Sequence, residues 1–201
     1  MKLFYSPAAC SLASHIALRE AGIPFELERV DLATKTTDTG MDFTTVSAKG
    51  YVPALALDDG SLLTEGIAIL LWIAGEGPEK GLAPLAGTME YIRLLEWLAF
   101  ISTEIHKGFS PLFNPAIPEA AKSALTARLF GRLAYVDDEL TGRAFLMGDK
   151  FSVADIYLFT TLRWLAFFQV ELTRWPNLAV FFERIAARPA VKDALAAEGL
   201  S

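Results

Sequence analysis

Residues 75–88 read GEGPEKGLAPLAGT, four glycines and two prolines in fourteen residues. Glycine raises the entropic cost of ordering the backbone and proline removes an amide donor, so this stretch cannot hold regular structure for long. It cuts the chain into two parts with different apolar patterns. Before the cut, strand-like KLFY is followed by a helical segment from Ser11 to Gly22 and a strand-like run from Phe25 to Val30. PALALD and SLL then flank Asp59-Gly60 as a hairpin, and an apolar segment of helical length runs from Glu65 to Ala74. The order βαβ, an irregular segment, then ββα predicts a small mixed sheet backed by helices.

Beyond the cut the pattern is helical. Ala121, Leu125, Leu129, Leu133, Val136 and Leu140 recur at helical steps, which predicts one core-facing helix. Ser152-Val153-Ala154-Asp155 has the form of a capping box opening a mostly buried helix, IYLFTTLRWLAFF. Pro176 and Pro189 each open a further short helix. The expected division is 1–78 as an α/β domain, 79–88 as linker and 89–201 as an all-helical domain.

With 53% hydrophobic residues among 201, the chain can bury a sizeable core. Its 18 Lys+Arg against 24 Asp+Glu, with no basic cluster, argue against nucleic acid as a partner. The apolar run GIAILLWIAG, residues 66–75, is about half of the roughly 20 residues that a membrane span needs. The N-terminus has too short an apolar run for a secretion signal, so the expectation is a cytoplasmic protein with no membrane partner.

One cysteine, Cys10, stands between the first strand and the first helix. A helix N-terminus favours an anion, and a cysteine there is a candidate low-pKa thiolate. The alternative is a small buried hydrophobe. Three residues on stands Ala13 rather than a second cysteine, which excludes a dithiol cycle within the chain. Any redox chemistry at Cys10 therefore needs an outside thiol.

Four stretches together, YSPAACSLA, KGYVPALALDDGSLLTEGIAIL, EWLAFISTEIHKGFSPLF and GDKFSVADIYLF, resemble the bacterial beta class of glutathione S-transferases. The resemblance runs over the whole chain. It implies a thioredoxin-like N-terminal domain, an all-α C-terminal domain, a homodimer, and glutathione as cosubstrate without a metal. It also implies glutathione conjugation to hydrophobic electrophiles and thiol transfer through a Cys10 mixed disulfide. A non-catalytic binding protein on the same fold is the alternative.

Residue by residue, the resemblance places the γ-glutamyl group at Glu65 and Gly66, where helix N–H groups meet its carboxylate and Glu65 meets its ammonium. Taken alone, Glu65 would serve only the helix dipole. Val52-Pro53 resembles the family's cis Val-Pro, which offers the Val52 backbone to the peptide's cysteine; an ordinary trans proline is the alternative. Lys35 matches the lysine that reaches the glycyl carboxylate. Ala99, Thr103 and His106 are spaced by four and three along one helix face. The family's helix here, including Glu104, touches glutathione across the dimer interface. His106 is the candidate to hydrogen-bond or polarise a sulfur near Cys10, with the charge of Lys107 favouring thiolate. His15 reads as structural, and Tyr5 as a core residue or minor contact.

Phe109, Phe113, Trp164 and Phe168 are the candidate walls of the hydrophobic substrate site. Ala99 departs from the family, where asparagine is common. The loss of that amide predicts glutathione binding weaker by about 0.5 to 1.5 kcal/mol. Ala48 and Tyr51 also depart from the pattern, without touching the proposed chemistry.

Overall fold

The computed structural model describes residues 1–200, which form two compact units. One comprises residues 1–83 together with 187–200, the other Pro84–Ala186.

In the first unit, β1 (Lys2–Tyr5), α1 (Ser11–Ala21) and β2 (Glu26–Asp31) make a parallel βαβ crossover, with Leu3 opposite Leu27. α1 stops at Gly22, whose φ of 69° provides a left-handed cap that side chains with a Cβ disfavour. A two-residue strand β3 (Thr36–Thr37) pairs with β2. β4 (Ala54–Ala56) and β5 (Leu62–Thr64) form the expected hairpin, and α2 (Gly66–Glu76) follows. The sheet order is β3-β2-β1-β4-β5, with β4 antiparallel to β1. Phe4, Val30, Phe43, Val52 and Ala54 fill a core beside the sheet. Ser11, Leu12, Ile16, Ile69, Leu70 and Ile73 bury the helices.

The last helix, α8 (Pro189–Ala197), belongs to this first unit, where sequence order had assigned it to the helical domain. It packs on α1 through Val191, Ala194 and Leu195. Just beyond it Glu198 is buried, and a buried carboxylate needs hydrogen-bond partners. Those partners are the Ala8 N–H at 3.2 Å and His15 Nδ1 at 2.9 Å. Arg19 Nε in turn donates to His15 Nε2 at 2.9 Å. His15 is thus structural, as expected, and Tyr5 is buried beside it.

The second unit begins with α3 (Met89–Phe100), capped by the Thr88 hydroxyl, which accepts from the Tyr91 N–H. A π-helical turn, Ile101–His106, joins it to α4 (Lys107–Phe113). α5 (Glu119–Glu139) buries Leu129, Leu133 and Val136, and Leu140 just past its end, but its first turns are more exposed than the periodic stripe predicts, Ala121 included. α6 (Val153–Leu162) is buried along its whole length, and α7 (Pro176–Ala186) packs against it. At the start of α6 the Asp155 carboxylate accepts from the N–H groups of Ser152 and Leu146, both at 2.8 Å. Burial pushes its carboxyl up to about 6, against the pull of those donors. No described helix is long and apolar enough to cross a membrane.

Candidate active site

Cys10 occupies the N-cap position of α1, as the sequence placed it. The loop before it is pinned by Ser11, whose hydroxyl accepts from the Ser6 N–H at 3.2 Å and donates to the Ser6 carbonyl at 3.3 Å. The thiol donates to the Val52 carbonyl at 3.3 Å, and the Val52-Pro53 bond is cis. Pro53 lies close to the start of α2, since a Cβ on Gly66 would stand 3.8 Å from Pro53 Cγ. Contacts thus run from Cys10 to Val52, and through Pro53 to Gly66.

Glu65 has φ 70° and ψ 115°, a conformation that side chains with a Cβ rarely adopt. Of four described non-glycine residues with positive φ, three lie in this unit: Ala8, Lys35 and Glu65. Such conformations cost about 1–3 kcal/mol each and gather at functional sites. The Lys35 stem passes Gly50, where a Cβ would stand 3.7 Å from its Cδ and Cε. That spacing would accept a Cβ, but the φ of 64° favours glycine at position 50.

Sequence reasoning missed Lys49. Its ammonium pairs with the Glu65 carboxylate and donates to Thr64 Oγ1 at 3.0 Å. Lys49 therefore occupies one side of the Glu65 carboxylate. The signal available in the sequence was a lysine just ahead of Val52-Pro53, which charge pattern alone does not connect to Glu65.

The second unit holds the remaining candidates. Ala99 and Thr103 are exposed, and the Thr103 hydroxyl donates back to the Ala99 carbonyl at 3.0 Å. His106 is half-buried instead, with Nδ1 2.6 Å from the Tyr157 hydroxyl and its ring 4.8 Å from that of Trp164. The π turn explains the divergence from one regular face. One extra residue in a turn rotates everything after it by about 100° relative to a regular helix. Burial, and secondly the charge of Lys107, lower the His106 imidazole to about 4, so it is neutral at physiological pH. The expected support of Lys107 for a thiolate is thus accompanied by a direct effect on its neighbour, the suppression of imidazolium.

Glu104 is engaged within the unit, with Arg132 Nε at 2.7 Å and Arg128 at 3.1 Å. Those hydrogen bonds hold its carboxyl below the usual range. Phe109 and Phe168 help line a cavity of about 390 Å3 with Leu129, Phe130 and Leu165. Phe113 and Trp164 pack edge to face 6.0 Å apart. Trp164 also meets Phe109 edge-on at 5.6 Å, so the four aromatics form one cluster that reaches His106. Among the described residues no group of three or more His, Cys, Asp or Glu is placed to hold a metal ion.

Comparison with known proteins identifies the family. Residues 8–76 match the glutathione S-transferase N-terminal domain and residues 100–189 the C-terminal domain. Glutathione S-transferase GstA of Escherichia coli O157:H7 is 48% identical over 200 residues, spanning 100% of both chains. The bacterial beta class glutathione S-transferase of Sphingomonas chungbukensis is 50% identical with a TM-score of 0.96, again over 100% of both chains.

The chain belongs to the beta class of glutathione S-transferases.

A sphingomonad glutathione S-transferase solved in complex with glutathione is 51% identical, with a TM-score of 0.96 and 100% coverage of both chains. As a member of this class the protein is a glutathione transferase, with glutathione as its cosubstrate. The five-stranded mixed sheet is its thioredoxin-like domain, and the helical unit its C-terminal domain.

Proposed function

We propose that this beta-class transferase conjugates glutathione to small hydrophobic electrophiles and also transfers thiols through a mixed disulfide on Cys10. The observation that carries the second activity is the position of Cys10, at the N-terminal end of α1 and in hydrogen-bond contact with Val52 of the cis Val52-Pro53 pair. The helix end favours a thiolate, the form that attacks disulfides. Cys10 thiolate attacks the glutathione sulfur of a mixed disulfide RS–SG, giving Cys10–S–SG and releasing RS⁻. A second glutathione thiolate then attacks that disulfide, releasing glutathione disulfide and restoring the Cys10 thiolate.

In this reading Glu65 and Gly66 receive the γ-glutamyl group, Val52 and Pro53 the cysteinyl backbone, and Lys35 the glycyl carboxylate. His106, neutral and held by Tyr157, donates a hydrogen bond to a sulfur. Phe109, Phe113, Trp164 and Phe168 shelter the electrophile. Conjugation uses the glutathione sulfur itself, so it does not need a second nucleophile from the protein.

We further place the protein as a homodimer in the cytoplasm. Met89 and Ile92 of α3 are 66% and 50% exposed, an apolar surface that a partner subunit would cover. Ala99 and Thr103 lie exposed on the same helix and the turn that follows it, with Lys107 exposed further along. Catalysis by one free thiol suits a reducing compartment.

The testing experiment is intact-protein mass after incubation with glutathione disulfide across a pH series, followed by dithiothreitol. One reversible glutathione adduct on Cys10, formed readily below pH 8, is expected. No adduct, or one formed only where a free thiol ionises, would remove thiol transfer from the reading and leave cysteine-independent conjugation.

A further inference from the structure

The Tyr157 hydroxyl and His106 Nδ1 are 2.6 Å apart. That separation is short for an imidazole N–H donor, for which about 2.7 to 3.2 Å is ordinary. The chemistry agrees, because an unprotonated imidazole nitrogen accepts better than a phenolic oxygen. The geometry points to Tyr157 as a positioning residue that donates to His106 Nδ1 and so locks the imidazole as the Nε2–H tautomer.

The surroundings hold the ring in one orientation. Trp164 meets it at 70° and 4.8 Å, and the Tyr157 ring at 83° and 5.8 Å. Tyr157 comes from α6, whose side chains are buried throughout, so the donor is carried on a rigid element. His106 ends the π turn, and that turn brings its ring to the α6 side. Two charged or titratable groups act on the imidazole: Lys107, the next residue in the chain, through its charge, and Tyr157 on α6 through a hydrogen bond. Burial and Lys107 keep the ring uncharged, which leaves a single proton to be placed on one nitrogen or the other.

With Nδ1 taken by Tyr157, the proton sits on Nε2 and His106 presents a hydrogen-bond donor. A general base would need an unprotonated nitrogen free to accept a proton, and this arrangement occupies Nδ1 while protonating Nε2. The consequence for turnover rests on the reading above, in which His106 serves a sulfur. A donor stabilises a thiolate in the attacking or the leaving position, and tyrosine fixes that donor without touching substrate.

The chain has 2 histidines, so nitrogen-15 histidine labelling gives a readable NMR spectrum, with His106→Leu assigning the His106 signals by their loss. In the wild-type enzyme His106 is expected to show a protonated Nε2 and a pyridine-like Nδ1 from pH 6 to 8. A protonated Nδ1, or an imidazolium at pH 7, would overturn the assignment without any variant having to fold. Tyr157→Phe keeps the ring and removes the donor. It is expected to shift the Nδ1 signal and mix the tautomers, and to lower kcat about tenfold with KM for glutathione within about twofold, the size of one lost oriented hydrogen bond. If His106→Leu lowers kcat and Tyr157→Phe changes neither kcat nor the tautomer signals, the Tyr157 assignment alone fails. If His106→Leu leaves kcat intact, the role of His106 in the reaction fails, whatever the tautomer.

Discussion

The Cys10 thiol donates to the Val52 carbonyl oxygen at 3.3 Å. A carbonyl only accepts, so this contact serves the protonated thiol, while the α1 N-terminus behind it favours the thiolate. The same carbonyl has a second lone pair, which leaves it able to receive an amide of the bound peptide. In the proposed reading, one backbone group thus links the protein's sulfur to the peptide that brings another.

From this relationship, Cys10→Ala abolishes thiol transfer while conjugation falls by less than about tenfold, since glutathione supplies its own nucleophile. Parallel assays with a disulfide and with an aromatic electrophile check it. Equal losses in both would show that the two reactions are not divided in this way.

Glu65 and Lys49 make opposite predictions although they are paired. In the proposed reading Glu65→Ala removes the carboxylate assigned to the γ-glutamyl ammonium and is expected to weaken glutathione binding about tenfold or more, the range of a lost charge-assisted hydrogen bond. Lys49→Ala removes a competitor for that carboxylate and leaves binding unchanged or tighter. Titration calorimetry of both variants with glutathione measures the contrast, and equal weakening would mean that Lys49 itself holds the peptide.

His106 gives stability a pH dependence. Its imidazole is lowered to about 4 in the folded protein against 6.5 as the ordinary value. Between those pH values the unfolded chain binds a proton that the folded one refuses, so stability present above pH 6.5 is lost as pH falls towards 4. The full loss is on the order of 3 kcal/mol. Urea unfolding of the wild type and of His106→Leu at steps through this window isolates the contribution. The stability difference should move in favour of the leucine variant on acidification, and a constant difference would contradict it.

Glu198 predicts a structural cost far along the chain from the thiol. Glu198→Ala strips the Ala8 N–H and the His15 ring of a buried acceptor, which costs about 2–4 kcal/mol. A lowered urea midpoint with an unchanged m-value is the expected outcome. Little change would mean that the loop before Cys10 holds its left-handed turn at Ala8 without help.

Much of this was legible in the residues. Asp59-Gly60 between two short apolar runs gave a hairpin, and Ser152 with Asp155 gave a helix start, because both signals are local. The placement of Cys10 at a helix end followed from the switch between strand and helix periodicity around it. The π turn was not legible, since Ile101 and Ile105 are four apart and satisfy an ordinary helical stripe equally well. Nor was the return of α8, since the partners of Glu198 are 183 and 190 residues away. Tyr157 left a trace that went unused: a tyrosine within a wholly buried helix must find a partner for its hydroxyl.

The return of α8 to the first unit also orders the birth of the enzyme. On the ribosome, β1 and Cys10 emerge before the helical unit, but the helix and carboxylate that brace their loop emerge after it. The helical unit is contiguous from Pro84 to Ala186, so all of its residues have been made before then. A polypeptide that stops short of α8 would thus carry the thiol without its brace, so that the organised sulfur depends on residues made after the helical unit.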